Sequence, residues 1–551
     1  MKRIYFGGTI NTLNDNNDVV EAILIEDDKI VAVGTEAEVM ELKDDSTELC
    51  NLEGKTMLPG FIDPHSHFGV QSILSVFKSL APSPIGDVES IERMIEVMIE
   101  DIEAKGFSGD EKFYIASGYD HEQLAEGRHP TKDDLDRIST EIPIAAVHAS
   151  LHVGTFNTKA LEVLGISKEE PNPAGGFFGR YEGTNEVNGY AEEMALQLHL
   201  MKHLAPDPSE LVNALKSGQE IYAKAGITTV QDGFTKNEEY QMFNFGSNNG
   251  LLDLDVHCYP PAIKSLQEGN HWIDGEYGIK PFDSFGTANN IHFSGYKIVL
   301  DGSPQARTAW MSKPYEVVSE SDDPNYVAYP FFEDDSIVTE GLVYAMERNA
   351  PVLVHCNGDA SGDQFLRCYE EALTKIDNEY TARPVMIHCQ TIREDQIDLM
   401  AKHGIIPAMF PIHTYFWGDV HIKNFGRERA NKISNQKYAL SKGLLPTSHE
   451  DCPVLPPSTI LSVWSACNRK TRSGEVLGED LVLSRYEGLR SVTYNAAYQY
   501  GEEEIKGTIE VGKMSDLVIT NEDILTCSDD TLFTATVYQT IKRGKVIYTQ
   551  Q

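Results

Sequence analysis

Eight short apolar runs, each closing on polar or charged residues, recur through the chain and constrain its fold more than any other feature. They are FIDPHSH (61–67), ITTVQDG (227–233), LDVHCYP (254–260), YKIVLDG (296–302), PVLVHCNG (351–358), PVMIHCQ (384–390), IIPAMFP (405–411) and LLPTSHED (444–451). Amphipathic helical stretches separate many of them. EDQIDLMAKHG (394–404), for example, sets Ile397, Leu399 and Met400 ahead of a closing glycine. Near-continuous apolar strands alternating with helices predict an α/β protein with a parallel sheet. Eight such units suit a (β/α)8 TIM-like barrel, in which the C-terminal strand ends face one mouth.

The two ends of the sequence read differently. AILIEDDKIVAVG (22–34) has a hairpin pattern, and GTIEVGKMSDLVIT (507–520) and TATVYQTIKRGKVIYT (534–549) are also β-rich. Either end alone has too few strands for independent stability. A small β-sandwich domain built from both, residues 1–58 and 500–551, is therefore expected around a barrel at 59–499. With 551 residues the chain is well beyond the ~250–300 at which one core stops growing. The first two barrel runs lie ~160 residues apart, far more than a βα connection needs. FYIASGYD (113–120), PIAAVHAS (143–150) and the helical SIERMIEVMIEDIEAKG (90–106) fall in that gap, so an inserted subdomain is expected at about 70–215.

Charge excludes some partners. The 46 Lys+Arg against 85 Asp+Glu leave a net −39 with no basic cluster, which argues against nucleic acid. No run of 18 apolar residues suggests a membrane span, and the opening MKRIYFGGTI is too short for a secretory core. The eight cysteines are scattered without C-x-x-C, so reduced thiols in a cytoplasmic protein are expected. There is no phosphate-binding glycine motif.

The residues that carry chemistry close the apolar runs. His65 and His67, two apart, would share one face of a strand and grip one cation together. His355 and His388 end two successive runs, and Asp451 ends the last. Lys297 stands inside a run fit for burial, where a bare ammonium is costly. Near metal its amine can take up carbon dioxide and become a bridging carbamate; Asp301, four residues on, offers an ordinary ion pair instead. This nitrogen and oxygen set suits zinc, with manganese, iron or nickel as alternatives, and six ligands exceed the needs of one tetrahedral ion. A binuclear centre with a water-derived nucleophile is the expectation. Cys452, beside His449 and Glu450, reads as packing rather than as a nucleophile.

Ten segments, taken in order, resemble the amidohydrolase superfamily. They are LPGFIDPHSH (58–67), SLHVGTFNTKAL (150–161), GYAEEMA (189–195), AGITTVQDG (225–233), YKIVLDGS (296–303), VLVHCNGD (352–359), VMIHCQ (385–390), SHEDCPV (448–454), TYNAA (493–497) and KGTIEVGKMSDLVI (506–519). Within it they resemble amidohydrolase family 3, the branch that includes N-substituted formamide deformylases. The resemblance implies that His65 and His67 hold the more buried metal and that carboxylated Lys297 bridges two zinc ions. It implies that His355 and His388 hold the second ion, and that Asp451 ligates the first and shuttles protons. It makes His152 a residue that reaches the site, near Asn157. His413 and Trp417, after the seventh run, would line the pocket. Two departures touch the pocket: Phe410-Pro411 stands where the family often has Gln-Pro, and His449-Glu450-Asp451 where it has Gly-Ser-Asp. The reaction expected is hydrolysis of an amide-type C–N bond in an N-acyl or N-formyl amine. Deamination of a ring amine at a single metal, and a regulatory protein on the same scaffold, are the alternatives. The superfamily also makes a homodimer an expectation.

Overall fold

The computed structural model describes residues 2–83, 85–107, 113–151, 153–173, 176–204, 208–268, 290–316 and 323–550, with only the backbone for 201–204 and 208–210. They fall into two compact units. One comprises Met1–Phe68, Gln219–Asp451 and Pro457–Gln551; the other comprises Gly69–Gly218 with Cys452–Pro456.

In the first unit, eight parallel strand positions follow one another in space in chain order. They are β1 (Phe61–Ile62), β2 (Ile227–Asp232), β3 (Asp255–Cys258), β4 (Ile291–Phe293 and Tyr296–Val299), β5 (Val352–Cys356), β6 (Val385–His388), β7 (Ile406–Met409) and β8 (Thr447–Ser448). Pairing is parallel from β1 to the first piece of β4, and again from its second piece to β8. This sequential order is that of a (β/α)8 barrel. The break in β4 falls at Gly295, whose φ is +141° and whose Cβ, if it had one, would sit 2.2 Å from the Pro351 carbonyl oxygen. Only glycine fits there.

Alternation along the strands sorts the side chains. On β5, Val352, Val354 and Cys356 join Val338, Leu342, Phe365 and Cys368 of the flanking helices Asp335–Glu347 and Asp359–Leu373. Leu353, on the other face, packs with Ile62, Val385, Ile387, Ile406, Ala408 and Tyr500. His355 follows Leu353 one pleat further along that inner face. On β4, Tyr296 and Ile298 belong to the outer core, which turns Lys297 inward.

Both ends of the sequence enter one eight-stranded sheet, joined where Leu517–Thr520 pairs antiparallel with Thr56–Pro59. The strand Lys2–Asn11 changes partner within its length. Lys2–Phe6 runs beside Thr47–Asn51, and Thr9–Ile10 runs beside Thr56–Met57. The change falls at Gly7 (φ +73°) and Gly8, so one strand takes two neighbours within the sheet. Tyr5, Ile23, Met57, Leu517, Ile519 and Ile541 form one buried cluster against it.

The second unit is built on a six-stranded sheet in the order Gly176–Arg180, Val187–Glu193, Val153–Phe156, Ile144–His148, Tyr114–Tyr119, Lys78–Ser79. Tyr114, Ala116, Ile144 and Ala146 face Met94, Ile95 and Met98 of helix Ile91–Lys105. Ile115, Ala145 and Val147 face Phe156, Phe178 and Leu196. Ser90 caps that helix and Gly106, in the left-handed region, ends it. No helix among the described residues is long and apolar enough to cross a membrane. All eight cysteines are free.

Candidate metal centre

His65, His67, Lys297, His355, His388 and Asp451 come together at the C-terminal ends of the strands. Asp451 Oδ1 lies 3.4 Å from His65 Nε2 and 3.5 Å from His67 Nε2, and Oδ2 lies 3.9 Å from His388 Nε2. Lys297 Nζ is 3.2 Å from His65 Nε2. The His355 and His388 rings meet edge to face at 4.4 Å. His67 and His355 stay partly exposed, whereas His65, Lys297 and His388 are buried.

The backbone reaches this arrangement differently from a simple strand-end reading. β1 stops at Ile62, so His65 sits on the bend beyond it and His67 on an isolated bridge to Asp232 rather than both on one strand face. Alternation on β6 would send His388 outward with Met386. The chain instead leaves the strand conformation there, with φ of +72° at His388 and +46° at Cys389, and the imidazole points inward. Asp451 also has a positive φ, +53°. Left-handed backbone at non-glycine residues is costly and gathers at functional sites.

Partners on the far ring nitrogens set the tautomers. His65 Nδ1 donates to Gln231 Oε1 at 2.6 Å, and Gln231 Nε2 donates to Pro64 O, which fixes the amide's orientation. His355 Nδ1 donates to Asp301 Oδ1 at 3.1 Å, and His388 Nδ1 donates to His449 Nε2 at 3.0 Å. Each bond leaves an Nε2 lone pair facing the centre, the second layer expected around metal-binding histidines. The ion pair of Lys297 with Asp301 does not form. Asp301 instead accepts the amides of Trp310, Asn357 and Gly358 and the Ser361 hydroxyl.

Burial sets the charges. Together with the nearby Lys297 it pushes His65 well below the usual imidazole range and His67 down to about 3. Burial brings the Lys297 amine down to about 7 and raises Asp451 to about 7, against the pull of Lys297. Burial also lifts Asp63 to about 6, and lifts Glu450 well above its usual range with Asp63 adding to it. Neutral imidazoles beside a carboxyl whose nearest cation is a lysine with a depressed pKa fit divalent cations. Among the described residues, Asp451 Oδ1 is buried with no hydrogen-bond partner, and His65, His388 and Asp451 place ligand atoms within 4.8 Å of one another.

The remaining predicted residues lie elsewhere. His413 opens helix His413–Phe425, with Nδ1 2.9 Å from His421 Nε2. Its ring stands 4.4 Å from Trp417, and both approach Phe410, which in turn faces His449 at 5.1 Å. His413 and Trp417 thus form an aromatic layer one ring removed from the ligand cluster. His152 lies outside the described residues. Asn157 is committed to structure: it caps helix Thr158–Leu164 and donates to Ser139 O and Ile142 O. The Cys452 thiol is buried and donates to Gln71 Oε1. Gln231 and His449 escape the sequence reading. The trace they leave is a polar side chain inside the wholly buried run ITTVQD and a histidine two residues before Asp451.

A barrel whose strand ends gather imidazoles and carboxylates in this way defines a metal-dependent hydrolase. The sequence profile of the amidohydrolase family matches residues 48–548, and the chain belongs to that family. It is 24% identical to the N-substituted formamide deformylase of Arthrobacter pascens over 98% of this chain and 97% of that one. It is also 24% identical to the putative amidohydrolase YtcJ of Bacillus subtilis (strain 168), over 100% and 99%. In fold it is similar to an uncharacterized metal-dependent hydrolase from Pyrococcus horikoshii OT3. That match has a TM-score of 0.73 at 22% identity, covering 96% of this chain and 99% of that structure.

Proposed function

We propose that this hydrolase cleaves an amide-type C–N bond in a small N-acyl or N-formyl amine. The observation that carries the reading is Asp451, a buried carboxyl held near neutrality and facing His65, His67 and His388. Its relative from Arthrobacter pascens is named for N-substituted formamides, which supports the substrate class.

His65, His67 and Asp451 would hold one divalent cation, zinc for this donor set, and His355 with His388 a second. Bound there, the ions supply Lewis acidity and lower the pKa of water. Lys297, neutral above about pH 7, adds through Nζ to carbon dioxide. The new N–C bond forms as the amine gives up a proton, and the carbamate carries the negative charge that two cations favour. Gln231, Asp301 and His449 hold the three imidazoles with Nε2 inward. Asp451 takes the proton of the attacking water as general base and returns it to the leaving nitrogen as general acid. Phe410 and Trp417 offer an aromatic surface to an apolar substituent.

The test is turnover of N-formyl and N-acyl amines by zinc-loaded protein, with metal counted per chain. Two zinc ions and release of formate or carboxylate are expected, with Asp451→Asn losing about 10²–10⁴-fold in kcat. Full turnover by that variant would remove the proton shuttle. One ion per chain with ammonia released from a ring amine would replace amide hydrolysis by deamination.

A further inference from the structure

A second group of metal-binding side chains lies in the Gly69–Gly218 unit. Tyr114–Tyr119 and Ile144–His148 are parallel neighbours, with Tyr119 level with His148. Asp120 and His121 follow the first strand directly, and His148 closes the second. His121 Nδ1 lies 3.3 Å from His148 Nε2 and 3.9 Å from Asp120 Oδ1, and the third edge, His148 Nε2 to Asp120 Oδ1, is 3.7 Å. A point equidistant from the three atoms lies about 2.1 Å from each. That is the length of a zinc–nitrogen or zinc–carboxylate bond, ~2.0–2.2 Å. The edges of 3.7 and 3.9 Å are longer than ordinary hydrogen bonds, so the buried carboxylate faces both imidazoles at ion-pair distance.

From this geometry we propose that Asp120, His121 and His148 form a second site for a divalent first-row transition ion. The surroundings suit a ligand set. Asp120 Oδ1 accepts the Glu122 amide at 3.0 Å, which orients the carboxylate. His121 would bind through Nδ1, with the Glu122 carboxylate 3.6 Å from its Nε2, near but beyond hydrogen-bond distance. The His129 ring stacks on His121 at 3.9 Å and is held by the Tyr119 hydroxyl at 3.0 Å, so His121 cannot swing away freely. Burial lowers His121 below the ordinary imidazole range, which keeps its lone pair available.

His148 carries a proton requirement of its own. Its Nδ1 accepts the Ser150 amide at 3.0 Å, so in the resting chain the ring proton sits on Nε2. Taking up a cation at Nε2 moves that proton to Nδ1, whose N–H then donates to Ser150 Oγ, 2.9 Å away, in place of the bond from the Ser150 amide, which is given up. No net proton leaves. Two imidazoles and one carboxylate leave further coordination positions open, as in a site that binds water or a small ligand beside its ion.

Cobalt(II) titration of the full-length protein, read by its visible absorption and by metal analysis after dialysis, tests the site. The double variant His65→Ala/His388→Ala is expected to retain one ion per chain from this second group. His148→Ala and Asp120→Ala should each bind one ion fewer than wild type, and Ser150→Ala should weaken that ion about 10-fold. Loss of all cobalt by the double variant, or wild-type stoichiometry in His148→Ala and Asp120→Ala, would overturn the proposal. Anomalous diffraction from wild-type crystals soaked in cobalt decides the matter if a variant does not fold. A peak among the three side chains supports the site, and no peak there removes it.

Discussion

At the scale of single residues, the barrel centre depends on groups that would never touch a substrate. Gln231 and His449 fix which nitrogen of His65 and His388 is free. Gln231→Leu and His449→Phe should therefore cost about 10–100-fold in zinc affinity, measured by chelator competition, with little change in melting temperature. Unchanged affinity would reduce both residues to packing. The ligand candidates were legible because the histidines and Asp451 close apolar runs and Lys297 stands inside one, where a charged or metal-binding group has no structural reason to be. The roles of Gln231 and His449 were not, because each passes through another residue's far nitrogen, of which the sequence shows only a polar residue in a buried run and a histidine two before Asp451. The ion pair of Lys297 with Asp301, offered as the alternative to a carbamate, fails because backbone amides and the Ser361 hydroxyl claim Asp301, which spacing alone does not show.

At the scale of elements, β4 and β6 depart most from what alternation predicts. Runs of apolar residues located all eight strands, since strands covered on both faces must be apolar. They did not reveal that β1 ends before its histidines, that β4 breaks at Gly295, or that β6 turns over at His388. Such departures depend on local backbone conformation, to which hydrophobic pattern is blind. Gly295→Ala puts a methyl group against the Pro351 carbonyl in a region closed to alanine, and should lower stability by at least ~1–3 kcal/mol in a urea titration. A variant as stable as wild type would show that the break is not enforced there.

At the scale of the whole molecule, a buried charge cluster fastens the C-terminal segment to β3 within the first unit. Asp255, fully buried, accepts from Lys506 at 2.9 Å and from Lys542 and Arg543 at 2.6 Å each. Asp255→Asn removes the carboxylate that the three cations share and, although Lys506 keeps Glu502 and Lys542 keeps Asp516, should cost up to about 3–5 kcal/mol in a urea titration. Burial works against the Glu502 anion in the same cluster, but Lys506 and His257 bring its carboxyl down to about 2. A folded pKa below the unfolded value near ~4.3 means that this stabilisation is whole above that pH and is lost as pH falls toward 2. Melting temperatures followed downward from pH 5 should drop steeply in wild type and less steeply in Glu502→Gln. Parallel curves would discount Glu502. Metal links to stability as well: dialysis against EDTA should lower the melting temperature and zinc restore it, by about 2.7 kcal/mol at a hundredfold excess over Kd.

The pairing of Thr56–Pro59 with Leu517–Thr520 has a further consequence, one of timing. Met57 meets Ile519, a partner translated about 460 residues later. At ~5–20 residues per second a ribosome needs roughly 25–90 s to deliver it. Throughout that interval the nascent chain must carry Met57 and Leu58, both fully buried in the finished protein, with one sheet edge open. Until the last strands emerge, the first ones therefore present an open edge on which another chain could pair.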